Sequence, residues 1–231
     1  FVFPKMNPAG LLIFTLSIAD LAPSPSLQQT IFQSLPPVGE GVEIRAQVLR
    51  DDTINSTEAT DLQKLFKQVQ GYLNNESIMI KIKVEDVIEN NDLRAFYEGN
   101  SSLDAIGTLQ NLTTYAKGQS ESSNTVFYYL TRKEILQNTS TGDHLELDLT
   151  EKATFRTLCT SSPSAVLVKY IPESQDLHIP AVKGTAEVMG LRNYKKFSFH
   201  EYISLLRTFW RCPRSDCWMQ CLKQDNARTG E

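Results

Sequence analysis

The stretch Thr125 to Thr131, TVFYYLT, is β-branched and aromatic almost throughout and reads as a strand buried on both faces. Such a strand needs helices packed on both sides of its sheet, and the flanking sequence supplies them. Upstream, Leu103, Ile106, Leu109, Leu112 and Tyr115 lie along one side of a helix expected to open at Ser101, with Asp104 as its capping-box partner. Earlier still, Val42, Ile44, Ala46 and Val48 alternate with Glu43, Arg45 and Gln47, and Ile78, Ile80, Ile82 and Val84 alternate with Met79, Lys81 and Lys83, which predicts two strands. Between them Leu62, Leu65, Phe66, Val69 and Leu73 fall on one face of a helix. Downstream, His144 to Leu149 alternates as an edge strand, and Ser164 to Tyr170, SAVLVKY, is a second strongly apolar strand. Pro180 suits the first turn of a helix running to about Leu191, with Val182, Ala186 and Met189 on one face. A last helix over Ser198 to Phe209 is expected to bury Ile203, Leu206 and Trp210 or its neighbours. Strands alternating with helices predict a three-layer α/β domain with a mixed, mainly parallel sheet.

The composition narrows the function. With 41% hydrophobic and 22% charged residues, the 231-residue chain has the make-up of a folded soluble domain rather than a disordered one. Its 23 basic and 27 acidic residues leave a net charge of −4, which excludes an electrostatic nucleic-acid binder. No run of 18 or more apolar residues exists, so no ordinary transmembrane span is expected.

Several features point to the secretory route. Leu11 to Ala19, LLIFTLSIA, has the length of a signal-peptide apolar core, preceded by Lys5 and followed by the small residues Ala22, Ser24 and Ser26. Met6, just upstream, is the expected translation start. Residues 1–26 are therefore expected to be leader and signal peptide, 27–41 a Pro/Gly-rich linker, 42–211 the folded domain and 212–231 a cysteine-containing tail. Asn55, Asn75, Asn100, Asn111 and Asn138 each open an N-x-[ST] glycosylation sequon. Five such sites within 84 residues imply an extracellular glycoprotein. The even set Cys159, Cys212, Cys217 and Cys221 favours two disulfides, with three connectivities open. Cys217 and Cys221 lie one helical turn apart and are expected to pair elsewhere, with Cys159 bridged to one of the C-terminal three. A metal site on the C-x4-C-x3-C spacing lacks a suitably placed histidine.

Two longer stretches carry a resemblance to a known family. YEGNSSLDAIGTLQNLTTYAKG with NTVFYYLTRKEIL, from Tyr97 to Leu136, and ATFRTLCTSSPSAVLVKY, from Ala153 to Tyr170, resemble the scaffold of the reprolysin (adamalysin-type) zinc metalloproteases, and among them the secreted forms of tick saliva. The resemblance implies a metzincin-like fold over Val42 to Trp210. It also implies the zinc motif H-E-x-x-H-x-x-G-x-x-H, whose three imidazoles hold the metal while the glutamate takes a proton from its water. The matching helix here reads KGTAEVMGLRN. Lys183 stands at the first histidine, Gly184 at the glutamate, Glu187 at the second histidine and Asn193 at the third, and Gly190 alone is retained. The family's later methionine turn has no counterpart before YKKFSFHEYISLLRTFW, which resembles its closing helix. A rival placement sets the motif's opening pair on His200 and Glu201, without a second or third histidine.

Other catalytic patterns are missing: the sequence has no G-x-S-x-G elbow and no phosphate-binding glycine loop. His144 and His178 read as strand-end or loop residues. The resemblance therefore implies a secreted metalloprotease-like protein without catalytic residues or a cofactor, acting by binding a host protein. The alternatives are an active zinc metalloendopeptidase, with zinc as its cofactor, and a lipocalin-type carrier. The carrier would need about eight consecutive strands, and the helices predicted at 61–73 and 102–115 argue against it.

Overall fold

Alternation along Val42 to Leu49 becomes the strand around which everything else is arranged. A computed structural model describes residues 36–97, 101–119, 121–138, 145–195 and 198–214, with the backbone alone of Ala59, Asn138 and residues 145–148. In chain order the elements are β1 (Glu43–Arg50), α1 (Ala59–Asn75), β2 (Lys81–Glu89), β3 (Leu103–Asp104), α2 (Ala105–Gly118), β4 (Thr125–Thr131), β5 (Ile135–Asn138), β6 (Leu145–Leu149), β7 (Glu151–Ala153), β8 (Ser164–Lys169), α3 (Ile179–Met189) and α4 (Phe199–Arg211).

The main sheet has the order β2-β1-β4-β8-β7, parallel except for the antiparallel edge strand β7. A smaller sheet joins β3, β5 and β6. Period two explains the layering, because successive residues of β4 face opposite ways. Tyr128 meets Phe66 of α1 edge-on at 4.6 Å and shares a hydrogen bond with Thr185 of α3 at 2.9 Å. Phe127 and Tyr129, on the other face, join Leu112 and Ala116 of α2, Leu49 of β1 and Ala165 and Leu167 of β8. Two helices cover one face and one covers the other, so the chain is an α/β protein with a mixed, mainly parallel sheet. All seven residues of β4 are buried, as its composition predicts. On α1 the predicted face Leu62, Leu65, Phe66, Val69 and Leu73 is fully buried, each side chain contributing about 1.5–3 kcal/mol.

Three expectations are corrected. The second helix starts at Ala105 rather than Ser101, because Leu103 and Asp104 pair with Ile135 and Leu136. Asp104 is then the N-cap itself, its carboxylate accepting from the Ile106 and Gly107 N–H groups at 3.1 Å. The second strand begins at Lys81, later than predicted, although Ile78 and Ile80 are buried just before it. On α4 the buried residues are Tyr202, Leu205, Thr208 and Phe209, whereas Leu206 and Trp210 are exposed. That helix carries two apolar stripes about 100° apart, and a 3.6-residue period cannot choose between them.

Part of the Pro/Gly-rich stretch belongs to the fold. Val38 pairs in parallel with Ile78, and Gly39, at φ +91°, sits where a Cβ would collide with Ile80. At the far end Arg214 pairs antiparallel with Val42. Among the described residues, no helix is long and apolar enough to cross a membrane.

Candidate functional site

Helix α3 is a well-specified element. Pro180 occupies its first turn, and Gly190 closes it in the left-handed conformation at φ +96°, its N–H donating back to Glu187 and Ala186 carbonyls. Its inner residues Ala181, Val182, Gly184, Thr185, Ala186, Val188 and Met189 are buried. Lys183 and Glu187, four apart, stand on the more open side and face the edge strand β7. The loop after β7 ties this arrangement down, since the N–H groups of Arg156 and Leu158 each donate at 2.9 Å to the carbonyls of Glu187 and Val188.

Between β7 and α3 lies a cleft of about 220 Å³, lined by Glu151, Lys183, Glu187, Arg192 and Tyr194 among others. It adjoins a second hollow bordered by Lys152 and Phe155. Lys183 Nζ lies 3.5 Å from Glu151 Oε1 and 5.8 Å from the Tyr194 ring centre. Arg192 rests over the Phe155 ring at 5.8 Å. Burial raises the Glu187 carboxyl above its ordinary range and the nearby Glu151 adds to this, while Lys152, Lys183 and the Ala153 backbone N–H pull the other way.

Gly184 faces inward instead. A Cβ built on it would come within 3.0 Å of Val166 Cγ1 on the central strand β8, closer than real side chains approach. Nothing larger than a hydrogen fits there. Asn193 is exposed beyond the Gly190 turn, with Oδ1 accepting from the Lys195 N–H at 2.9 Å. The chain thus brings Lys183 and Glu187 together at one cleft, turns them away from Gly184, and leaves Asn193 outside.

A tetrahedral zinc site needs three firm nitrogen, sulfur or oxygen donors and an open fourth position. These residues do not fit it. Lys183 is an ammonium held against Glu151, Gly184 has no side chain, and Glu187 supplies only one carboxylate. Among the described residues, no group of three or more His, Cys, Asp or Glu is placed to hold a metal ion.

His200 and Glu201, at the start of α4, have a different setting. His200 is exposed. Glu201 completes a capping box: its carboxylate accepts from the Ser198 N–H at 2.7 Å and the Arg192 N–H at 3.1 Å, and the Ser198 hydroxyl accepts from the Glu201 N–H. Burial works against its ionisation, but these backbone donors outweigh it and hold the carboxyl below the ordinary range. Its oxygens serve the helix end. His178 precedes α3 and lies 6.0 Å from the Tyr72 ring, and His144 is outside the described residues.

Cys159 is bonded to Cys212, with Cα atoms 5.0 Å apart, so the loop before β8 is tied to the end of α4. Cys217 and Cys221 lie outside the described residues. Of the sequon asparagines, Asn55, Asn75 and Asn111 are exposed, Asn111 also donating from Nδ2 to the Leu93 carbonyl at 3.2 Å. The Asn138 backbone ends β5, and Asn100 is outside the described residues. Sequence reasoning missed Glu151, Arg192 and Tyr194. The first sits on a strand of three residues, too short for alternation to register, and the other two follow the Gly190 turn in a stretch without periodicity.

No family model matches the chain, and no curated protein does. Solved structures with partial likeness include metalloproteinase-II from Bacteroides fragilis, at 12% identity and a TM-score of 0.46, covering 77% of this chain and 57% of that one. An archaemetzincin from Methanopyrus kandleri aligns at 15% identity and a TM-score of 0.41, over 83% of this chain and 99% of that one. An archaemetzincin from Archaeoglobus fulgidus aligns at 12% identity and 0.39, over 74% and 93%. The chain spans little more than half the length of the Bacteroides protein. At these values the likeness is partial, and the chemistry of the site is argued from the chain's own residues.

Proposed function

We propose that this chain is a secreted, glycosylated, metalloprotease-like protein that has no zinc site and acts by binding a host protein. The observation that carries the reading is the setting of Lys183 and Gly184. At the positions that match the family's first histidine and general base, Lys183 is an ion-paired ammonium and Gly184 has no side chain, its Cα packed so closely against Val166 that even a Cβ would collide. An ammonium offers no lone pair at neutral pH, its reference pKa being about 10.4. Loss of the base alone removes about 10²–10⁴-fold in rate, and loss of the metal removes the activation of its water. The reprolysin kinship rests on the scaffold stretches Tyr97 to Leu136 and Ala153 to Tyr170. Secretion rests on the Leu11 to Ala19 run, the five sequons and the Cys159–Cys212 disulfide.

The test uses the chain secreted from insect cells. Incubated with casein and fibrinogen, with and without a chelator, it is expected to release no peptide above buffer. Immobilised, it is expected to retain a defined protein from host plasma. Chelator-sensitive cleavage would overturn the reading in favour of the active enzyme.

A further inference from the structure

Among the described residues, the outward side of α4 carries an apolar row of which Phe199, Leu206 and Trp210 are exposed and Ile203 is half-buried. Phe199, Ile203, Leu206 and Trp210 follow one another at i, i+4, i+7 and i+11, a line about 16 Å long. Phe199 is 48% exposed, Leu206 42% and Trp210 84%. Beside this row runs a second one, made of the exposed His200, Arg207 and Arg211. The one acid on the helix, Glu201, is engaged in the N-terminal cap. A chain with a net charge of −4 thus presents here a cationic flank without exposed carboxylates of its own helix.

The face is held firmly. Tyr202, Leu205, Thr208 and Phe209 fix the opposite side in the core, Thr208 Oγ1 donating to the Met189 carbonyl at 3.3 Å. The capping box and the Cys159–Cys212 bond secure the two ends. Burying Trp210 elsewhere would cost those contacts.

We infer that this ridge is a docking surface for a lipid bilayer with anionic headgroups, on which α4 lies flat. Among the described residues, the hollow beside Trp210 is walled by α4 residues alone, so they form a ridge and not a cleft that a partner segment could fill. A bilayer interface receives such a ridge without a matching cavity: aromatic and aliphatic side chains enter the headgroup boundary while arginines beside them meet lipid phosphates. A second copy of the chain fits less well. Two-fold pairing of this face would bring Arg207 and Arg211 near their counterparts, with the cap-engaged Glu201 as the one acid of each helix. The inference stands independently of the cleft under β7.

The experiment is co-sedimentation of the full secreted chain with vesicles of phosphatidylcholine, alone or with about one-third phosphatidylserine. Trp210→Glu and Arg207→Gln/Arg211→Gln, all at exposed positions, are compared after their melting curves are shown to match the parent. The parent is expected to partition to the anionic vesicles in a salt-sensitive way, and Trp210→Glu to lower that partition at least about tenfold. The double arginine variant should lose about fivefold for each cation removed and keep its weak affinity for neutral vesicles. Absence of partition, or partition that Trp210→Glu leaves unchanged, would overturn the inference. So would a vesicle-free dimer abolished by Trp210→Glu, which would assign the ridge to a second copy.

Discussion

Two glycines inside helices should respond to the same substitution with opposite sign. Gly71, on the exposed side of α1, has no heavy atom within 4 Å of where a Cβ would stand. Replacing it by alanine removes only the backbone entropy cost of a helical glycine and should stabilise by up to about 1 kcal/mol. Gly184 gains the same propensity term from alanine, but its new methyl group collides with Val166, a fully buried, β-branched residue of β8. Overpacking of that kind costs typically about 1–3 kcal/mol. The two variants should therefore differ by about 1–3 kcal/mol, and at about 2–4 °C per kcal/mol for a domain of this size they separate clearly in a thermal melt. Gly184→Glu, which writes in the glutamate of an H-E-x-x-H motif, adds a buried carboxylate to the collision and should fail to fold rather than gain activity. The cause is checked by a double-mutant cycle: Gly184→Ala combined with Val166→Ala should be less damaging than the sum of the two, with a coupling of about 0.5–3 kcal/mol. If Gly184→Ala stabilises as much as Gly71→Ala, or couples with Val166→Ala by nothing measurable, the packing argument at the site is wrong.

Glu187→Gln should raise the melting temperature at pH 7 and have little effect at pH 4. A folded carboxyl pKa above its unfolded value gives stability that is complete below the unfolded pKa and fades as pH rises through the folded one. A pH series of paired melts checks this, and a gain confined to acid pH would reverse the sign. Replacing Cys159 and Cys212 together by serine should cost about 4 kcal/mol by opening a 53-residue separation, read from denaturant midpoints; no loss would assign the bond no stabilising role. Asp104→Ala should cost about 1 kcal/mol through two lost cap bonds on α2, seen as a lower denaturation midpoint. Glycosidase treatment of the secreted chain should lower its apparent mass, and an unchanged mass would refute the use of the five sequons.

Much of this architecture can be read from side-chain alternation. β1, β4 and β8 are long and apolar enough to declare themselves, and α1 and α3 bury the faces their periodicity predicts. The missed elements are β3, β5 and β7, of two to four residues each, whose pairing is decided by tertiary contacts. Asp104 shows the same limit: its capping chemistry is legible, but whether it acts as N-cap or as the third helical residue depends on the strand that Leu103 joins. Lys183 and Glu187 share a helix face by spacing alone, whereas Glu151 reaches them from 32 residues before Lys183, and no local pattern carries that information. The inward turn of Gly184 is not legible because α3 buries more than its predicted face of Val182, Ala186 and Met189, taking in Ala181, Gly184, Thr185 and Val188 as well.

The central claim is that the cleft under β7 has no place for a zinc ion. Its most direct test is elemental analysis by mass spectrometry of the full secreted chain after dialysis against a slight excess of zinc and then metal-free buffer. The account predicts far less than one zinc per chain, unchanged in Glu187→Ala. About one zinc per chain, lost on Glu187→Ala or Lys183→Ala, would contradict it.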